Sequence, residues 1–597
     1  MDCDVEYRIN RFGRRIRTFV VIPDADVSEP EIDSDADDCP HESESDNDDS
    51  SNDTGDPAVA TSSGSLQGRL STNSKNDYTW NSARAPLVDV PFTAEGSDEN
   101  RETVLRQPIE YFKTYFILGL FSFISKQTNL YAQQQNQSFE TSPEEIEVYV
   151  GILIKMGVVN LPRYRLFWSD EFRFPGVADR MSRDRFFLLN KFIHFADNND
   201  IVMDRNSDEF DRLFKVRTLL EFIRRSCLKL EPLQHQSVDE QIIPFKGKTS
   251  LKQYLPKKPH RWGFKVISRN GVDGFTHDFY FYDGSPLKLR SSSCGYQPGD
   301  MVLKVCEMLP RHANHIVYFD NFFNFIELQI MLKRDFGIES AGTLRANRLR
   351  GCPLKSEKEL QTTGRGSFDC RQEKKTNISI VRWFDNRSIQ LSSSYVSVNP
   401  ITNVQRFDRK AKKRVQVPCP AIVTHYNQHM GGVDKFDMLM SLYRCDHKTR
   451  KFYKPIFFWS INLCLVNAWI HYKRDCDQLD VAARGRLDLL SFSAKVSNSL
   501  CLQGKTPEML STPRKRGRPC RVGDGAISPA KTRRRSAIIP QTDIRSDQVA
   551  HWPEMVTADQ RQRCKVCHTL TQTRCEKCTI FLCIRPNRNC YKLFHNM

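Results

Sequence analysis

The sequence predicts an α/β protein whose mixed sheet follows a helical region and precedes a small Cys-rich end. Three observations carry that reading. Between about residues 108 and 198, aromatic and aliphatic residues recur at three- and four-residue spacing, as amphipathic helices require. The period then shifts: "HQSVDEQIIPF", "GFKVISRNG", "GFTHDFYFYDG" and "HIVYFDNFF" are short β-branched or aromatic runs punctuated by Gly, Asn and Asp, so they read as strands. Finally, six of the 19 cysteines fall in the last 34 residues while the rest show no pairing pattern. That distribution favours a reducing compartment and a terminal metal site over a disulfide framework.

At 597 residues the chain has room for about three to five domains. Residues 24–56 carry 15 acidic side chains and no Lys or Arg, so self-repulsion and scarce apolar area predict a disordered tail, continuing in low-complexity sequence to about residue 104. "YFILGLFSFI" (115–124) reads as a buried helix, since it has half the roughly 20 residues needed to cross a bilayer. In "TSPEEIEVYVGILIKMG", Ser142 followed by Glu145 has the form of a capping box. "MSRDRFFLLNKFIHF" (181–195) reads as a further amphipathic helix. "NFIELQIMLKRD" is helical after the last strand above, and "ISIVRWFDN" and "RVQVPC" return to strand. "GGVDKFDMLMSLYR" reopens helical periodicity, which continues through "PIFFWSINLCLVNAWIHY". Residues 500–550 form a basic Pro/Gly/Ser-rich linker. No secretory signal is expected, because Asp2, Asp4 and Glu6 crowd the start and no apolar region follows.

The net charge of +16 conceals an asymmetry. Residues 1–56 hold 18 Asp/Glu against 5 Lys/Arg, so the remainder carries 83 Lys/Arg against 54 Asp/Glu. A basic body with an acidic tail suggests a polyanionic partner, most simply nucleic acid.

Carboxylates recur where strands end. Asp239 interrupts an apolar strand, and Asp320 stands at the mouth of "HIVYFDNFF" beside a turn, where α/β folds expose functional groups. Asp434 and Asp437 follow a Gly-Gly break three residues apart, which on a helix keeps both on nearly one face. Carboxylates from two strands and a helix, converging, would make an oxygen-rich site suited to Mg²⁺ and to in-line phosphodiester displacement. Each also has a structural reading: Asp320 with Asn321 as a turn pair, Asp434 as a helix cap, Asp437 as a solvated residue. Spacing alone leaves both open.

Taken together, these residues resemble the piggyBac family of cut-and-paste DNA transposases and their host-domesticated derivatives, over most of residues 105–597. The resemblance rests on ordered blocks: "QTNLYA" (127–132), "GILIKMGVVNLPRYRLFW" (151–168), "MSRDRFFLLNKFIHFADNN" (181–199), "SVDEQIIPFKGKTSLKQYLPKKPHRWGFK" (237–265), "VYFDNFF" (317–323), "AGTLRANR" (341–348) and "HMGGVDKFDMLMSLYR" (429–444). It implies a helical dimerisation and DNA-binding domain (105–230), an RNase H-like core (231–340 and 421–495) interrupted by a β-rich insertion (341–420), a basic linker (496–560) and a zinc module (561–597). It also implies two Mg²⁺ ions held by Asp239, Asp320 and Asp434, with Asp437 as the fourth. Lys246, Lys248, Lys252, Lys257, Lys258, Arg261 and Lys265 would lie along the DNA backbone. The activity implied is nicking of double-stranded DNA at transposon ends, hairpin formation through the freed 3′-hydroxyl, and insertion at TTAA targets, by a nuclear homodimer with no membrane association. One departure stands out: relatives carry a Trp after the last aspartates, where this chain has "TRKFYKP", which puts Phe452 in its place with stacking retained and the indole hydrogen bond lost. The alternative is a domesticated DNA- or chromatin-binding protein without mobilisation, and a third class, a structure-specific nuclease on the same core, is disfavoured by the family blocks.

At the end, Cys564, Cys567, Cys575 and Cys578 form two C-x2-C pairs, followed by Cys583, Cys590 and His595. Close pairs with later Cys and His suit tetrahedral zinc, and thirty-odd residues cannot otherwise make an adequate core. The resemblance implies a cross-brace finger with two zinc ions that recognises transposon-end DNA. Eight ligands are then needed, and His568 is the candidate for the eighth, with Arg585 and Pro586 standing where a third-pair partner is expected. In the linker, "PRKRGRP" (513–519) places Arg516 and Arg518 in an AT-hook-like core suited to a narrow minor groove, and with "KTRRR" (531–535) it also reads as a nuclear localisation signal. "FKGKTS" is no nucleotide-binding loop, because Ile242 stands where G-x4-G-K-[ST] needs its first Gly.

Overall fold

The computed structural model describes residues 3–9, 15–21, 78–82, 91–93, 104–503 and 551–596, apart from 257, 259, 286, 409–411, 558 and 559. The acidic tail, Lys257, Arg516, Arg518 and the two basic motifs of the linker lie outside the described residues. The chain forms two compact units, 1–500 and 501–597.

The first unit opens with an antiparallel hairpin of Cys3–Ile9 (β1) and Arg15–Val21 (β2), and Trp80–Asn81 (β3) joins the main sheet at one edge. Part of the span read as low-complexity therefore takes strand form. Helices follow: Pro108–Tyr115 (α1), Leu118–Gln134 (α2), Pro143–Val158 (α3), Pro175–Ala178 (α4), Arg183–Phe192 (α5) and Phe214–Cys227 (α6). The apolar run 115–124 is split rather than one helix. Ile117 is extended between α1 and α2, and the break brings Phe116 onto Phe121 with ring centroids 4.7 Å apart. Ser142 caps α3 by accepting from the Glu145 amide, but Glu145 does not complete the box. Its carboxylate instead receives two bonds from Arg185, at 2.7 and 2.6 Å, which pins α5 to α3. Helix α5 is shorter than 181–195, ending at Phe192 where Ile193 leaves helical geometry.

The sheet is built from His235–Pro244 (β4), Gln253–Tyr254 (β5), Trp262–Gly271 (β6) and Thr276–Phe281 (β7). After Gln297–Cys306 (α7) come Ile316–Phe319 (β8), Ile326–Met331 (α8) and Glu339–Thr343 (β9). Strands β7, β6 and β4 run antiparallel in that order, then β8 pairs parallel with β4, and β9 parallel with β8. All four residues of β8 are buried, as expected for a parallel strand covered on both faces. Val317 and Phe319 pack among α7 and α8, whereas Ile316 and Tyr318 face the opposite cluster. After Glu357–Thr363 (α9), the meander Phe368–Glu373 (β10), Ser379–Phe384 (β11) and Ser388–Ser393 (β12) continues the same sheet, because β12 pairs with β9. Thr402–Asp408 (β13) and Lys413–Cys419 (β14) form a separate two-stranded ribbon.

Ala421–His429 (α10), Gly432–Leu442 (α11), Tyr453–Gln478 (α12) and Leu489–Leu500 (α13) close the unit. Helix α11 lies across β4 and β6, and α12 packs against both α6 and α1. Two bonds join α1 to α12: Tyr111 to Asp475 at 2.5 Å, and Tyr115 to His471 at 2.8 Å. Ser497 on α13 also donates to the Gly151 carbonyl of α3 at 2.9 Å.

Among its described residues the second unit has three short antiparallel strand pairs and one helix. Pro553–Met555 (β15) pairs with Thr573–Cys575 (β18), Gln562–Arg563 (β16) with Leu570–Thr571 (β17), and Ile584–Arg585 (β19) with Arg588–Asn589 (β20), before Cys590–His595 (α14).

Candidate active site and metal-ligand groups

The pairing of β4 with β8 ends at Val238 opposite Phe319. The next residues on the two parallel strands are Asp239 and Asp320, so strand register alone sets them side by side at the carboxyl ends of adjacent strands. Oxygens of Asp239, Asp320 and Glu240 all lie within 4.8 Å of one another. Asp320 is held by an Asx turn, accepting from the Phe322 amide at 2.8 Å, and Asp239 accepts from the Glu240 amide at 2.7 Å. Burial, followed by the charges of Glu240 and Asp320, holds the Asp239 carboxyl well above the usual carboxylate range, with Lys258 opposing. Asp320 is raised by burial and by Glu240, against the turn amides of Phe322 and Phe323. One oxygen of Glu240, Oε2, is buried and has no hydrogen-bond partner. Three crowded carboxylates with an unsatisfied buried oxygen are what a bound divalent cation would relieve, so the residues fit such an ion. Glu240 was not among the expected ligands, because neighbours on a strand ordinarily face opposite ways. The usable signal was the acidic pair falling where β4 outruns β8.

Asp434 and Asp437 sit on α11, outside that 4.8 Å group. Asp434 is exposed in the first turn and Asp437 is half-buried. The helix is seated by Gly432, where an added Cβ would come 2.5 Å from both the Gly271 carbonyl and Ser237 Oγ. Burial raises the Tyr426 hydroxyl of α10, and the charges of Asp320, Asp239 and Asp434 add to that rise. Burial pushes the Asp437 carboxyl up to about 7, with Lys258 lowering it and Asp434 raising it.

The basic segment divides. Lys246, Lys248 and Arg261 are exposed, and Lys252 bonds to the Gly247 carbonyl at 2.9 Å while lying 5.1 Å from the Trp262 ring. Lys258 and Lys265 turn toward the acidic group instead. Lys258 donates to the Glu240 carbonyl at 2.9 Å and its charge acts on both Asp239 and Asp437. Lys265 rests 4.1 Å from the Phe322 ring; burial lowers its pKa, and Glu240, Asp320 and Asp239 raise it. Phe452 is half-buried at the start of α12 and lines a cavity of about 240 Å³ with Arg212, Lys215, Thr249 and Ser250.

In the second unit the ligand residues form two interleaved groups: Cys564, Cys567, Cys583 and Cys590, and His551, Cys575, Cys578 and His595. His568 joins neither, and this corrects the expectation for the eighth ligand. It is exposed with φ +61°, its amide bonding back to the Cys564 carbonyl, so the turn that follows the first C-x2-C pair directs its ring outward. His551 takes the place. Its Nδ1 is 3.4 Å from both Cys575 Sγ and Cys578 Sγ, and His595 Nε2 is 3.5 Å from Cys578 Sγ. The edge between N and S ligands of a tetrahedral zinc ion is about 3.5 Å for ordinary bond lengths. Cys567 and Cys583 approach to 3.4 Å, somewhat inside the corresponding S–S edge of about 3.8 Å. His595 Nδ1 bonds to the Tyr591 carbonyl at 2.8 Å, which directs its Nε2 lone pair into the group. Amides of Cys578 and Cys583 donate to Cys575 and Cys564 sulfurs, each at 3.4 Å.

Fold and site together define an α/β protein with a carboxylate centre at the ends of parallel strands and a separate Cys/His unit. A family model described as Transposase IS4 matches residues 107–469. PiggyBac transposable element-derived protein 2 of Homo sapiens is 31% identical over 471 residues, spanning 77% of this chain and 72% of that protein. PiggyBac transposable element-derived protein 3 of Homo sapiens is 31% identical over 490 residues, spanning 81% and 76%. The chain belongs to the piggyBac-type transposase family. Its fold resembles that of a chain in the cryo-EM structure of piggyBac transposase synaptic complex with hairpin DNA, with a TM-score of 0.57 and 20% identity over 70% of this chain and 84% of that one. Among the described residues, no helix is long and apolar enough to cross a membrane.

Proposed function

We propose that the chain is a Mg²⁺-dependent DNA transposase that cuts double-stranded DNA at element ends and joins it to TTAA targets. The observation that carries the reading is the placement of Asp239, Asp320 and Glu240 at the ends of two adjacent parallel strands. The strand order β7-β6-β4-β8-β9, antiparallel then parallel, supports an RNase H-like core. Asp239, Asp320, Asp434 and Asp437 would hold two Mg²⁺ ions, with Glu240 as a further oxygen donor. When bound, such ions acidify the attacking water or hydroxyl and stabilise the leaving oxygen.

The chain's own groups do the rest. Lys258 and Lys265 supply positive charge beside the carboxylates and orient a backbone phosphate entering the site. In the first step a P–O bond forms from water and the P–O3′ bond breaks, freeing a 3′-hydroxyl. That hydroxyl then attacks a phosphate of the opposite strand: a new P–O bond closes the hairpin as the P–O3′ bond there breaks, and the flanking DNA leaves with a free 3′-hydroxyl. Lys246, Lys248, Lys252 and Arg261 would follow the flanking backbone. Phe452 offers a stacking face beside the same segment. The second unit would hold two Zn²⁺ ions and contribute to end recognition, and the reaction calls for two copies of the chain, one for each end, working in the nucleus.

A second reading has support in the relatives, both named as transposable element-derived: a DNA- or chromatin-binding protein that no longer mobilises DNA. An excision assay on matched ends divides the two. Asp239→Asn and Asp320→Asn should each lower excision at least about 100-fold and abolish Mn²⁺ binding seen by paramagnetic resonance. Undiminished excision and Mn²⁺ binding in both variants would remove the metal-site reading.

A further inference from the structure

The ribbon β13–β14 belongs to none of the surfaces described above. Among the described residues it pairs only with itself, over seven residue pairs from Thr402 opposite Cys419 to Asp408 opposite Lys413. Its two faces differ in kind. The inner face is fixed to the body: Val417 and Cys419 are buried in the cluster around Trp383, and the Trp383 indole donates to the Pro418 carbonyl at 2.9 Å. Arg406 adds an ion pair to Asp385 at 3.2 Å. The outer face presents the cross-strand pairs Asn403–Pro418, Gln405–Gln416 and Phe407–Arg414, and all six residues are exposed. Lys412 and Lys413 follow at the end of the ribbon, also exposed.

We infer that this outer face enters the major groove of duplex DNA and reads base sequence there, an inference that rests on the proposed DNA-processing function. Three properties point to that occupant. A two-stranded ribbon fits a groove about 12 Å wide. Outward residues alternate at about 6.8 Å along a strand, close to two base-pair steps. The side chains are also those that read base edges: Asn and Gln match the N6/N7 edge of adenine, Arg matches the O6/N7 edge of guanine, and Phe meets the thymine methyl. Phe407 is exposed on that face opposite Arg414 and two residues from Gln405, which leaves an apolar contact surface beside the polar readers. The Lys412–Lys413 end supplies phosphate contacts that fix the register. Attachment of the inner face through Trp383 and Arg406 fixes the ribbon's orientation, so the outer face is presented before DNA arrives.

The test is selection of bound duplexes from a pool of random 20-base-pair DNA by the full chain. The wild type should enrich a short motif. Gln405→Ala with Gln416→Ala should flatten preference at two to four adjacent positions of that motif, with about tenfold or greater loss of discrimination at each. Lys412→Ala with Lys413→Ala should instead weaken all duplexes alike and reduce the slope of log affinity against log salt by about 1.8. Unchanged motifs and salt slopes in both double variants would overturn the inference. So would a change of sedimentation state without change in DNA selection, which would make the ribbon a contact between copies of the chain. Cleavage by the wild type is scored in parallel. A chain that cuts while its ribbon variants select as before overturns the ribbon alone, and a chain that selects through the ribbon without cutting overturns the catalytic reading alone.

Discussion

The two ligand regions of this molecule are built by opposite logics. Around Asp239 and Asp320 a large apolar core comes first, and the acidic group is a consequence of where two strands stop pairing. In the second unit the ligands are themselves the core: Cys564, Cys575, Cys578, Cys583 and Cys590 make up five of the nine buried residues in its apolar cluster. The sheet can therefore hold its carboxylates in place at an electrostatic cost, visible in the raised Asp239 and Asp320 carboxyls. The Cys/His unit buries little apolar area apart from these sulfurs, so a metal held by its two groups would supply much of its folding free energy. On the proposed reading, metal would be a reagent in one region and a structural member in the other.

Chelation should separate the two regions most visibly. Structural zinc contributes about 10–16 kcal/mol in small fingers, so a strong chelator should expose residues 551–596 to limited proteolysis while leaving the thermal transition of the first unit in place. A common loss of both would show that the first unit depends on metal as well. Elemental analysis gives the next sharpest result. His551→Ala should lower bound zinc from two toward one per chain, whereas His568→Ala should keep both ions and change stability by less than about 0.5 kcal/mol. The reverse outcome would restore the assignment made from spacing.

In the first unit, Gly432→Ala should cost about 1–3 kcal/mol, because its new Cβ meets a backbone carbonyl at 2.5 Å. Excision should fall along with stability as α11 shifts, taking Asp434 and Asp437 with it. A variant of full stability and activity would show that the seating of α11 does not matter. The smallest effect concerns acid. His235 stacks on His429 at 3.9 Å, and burial, then His429 and His425, depress its pKa to about 4. A depressed folded value means that the unfolded chain binds more protons below the ordinary 6.5, so this stability is present above pH 6.5 and is lost as pH falls toward 4. His235→Gln should therefore flatten the acid limb by roughly 1 kcal/mol, allowing for the partial exposure of the ring. An identical limb in denaturant titrations across that range would exclude His235 as its source.

Much of the architecture was legible. β4, β6, β7 and β8 announce themselves as short β-branched or aromatic runs between Gly, Asn and Asp, and α11 and α12 through helical spacing after the Gly-Gly break. Less legible were matters of ends and directions. The run 115–124 is uniformly apolar, and nothing local marks Ile117 as the point where Phe116 folds back on Phe121. Ser142 and Glu145 satisfy the capping pattern, yet a distant guanidinium, Arg185, outbids the cap for the Glu145 carboxylate. Lys258 and Lys265 look like their neighbours in a basic run, and only the strand twist and loop path turn them inward to the acids. His551 lay 13 positions before Cys564 in a stretch that read as linker. The odd total of seven spaced ligands was the available hint that one was missing.

The chain's order of residues determined which side chains were candidates and which segments would be strand or helix, because both depend on local period and chemistry. Pairing register decided that Asp239 stands beside Asp320 and that Glu240 joins them. The folding of β15 against β18 decided that His551, and not His568, completes the second Cys/His group. Register and packing are set by contacts between residues far apart in the chain, and no local pattern encodes the distance that such contacts close.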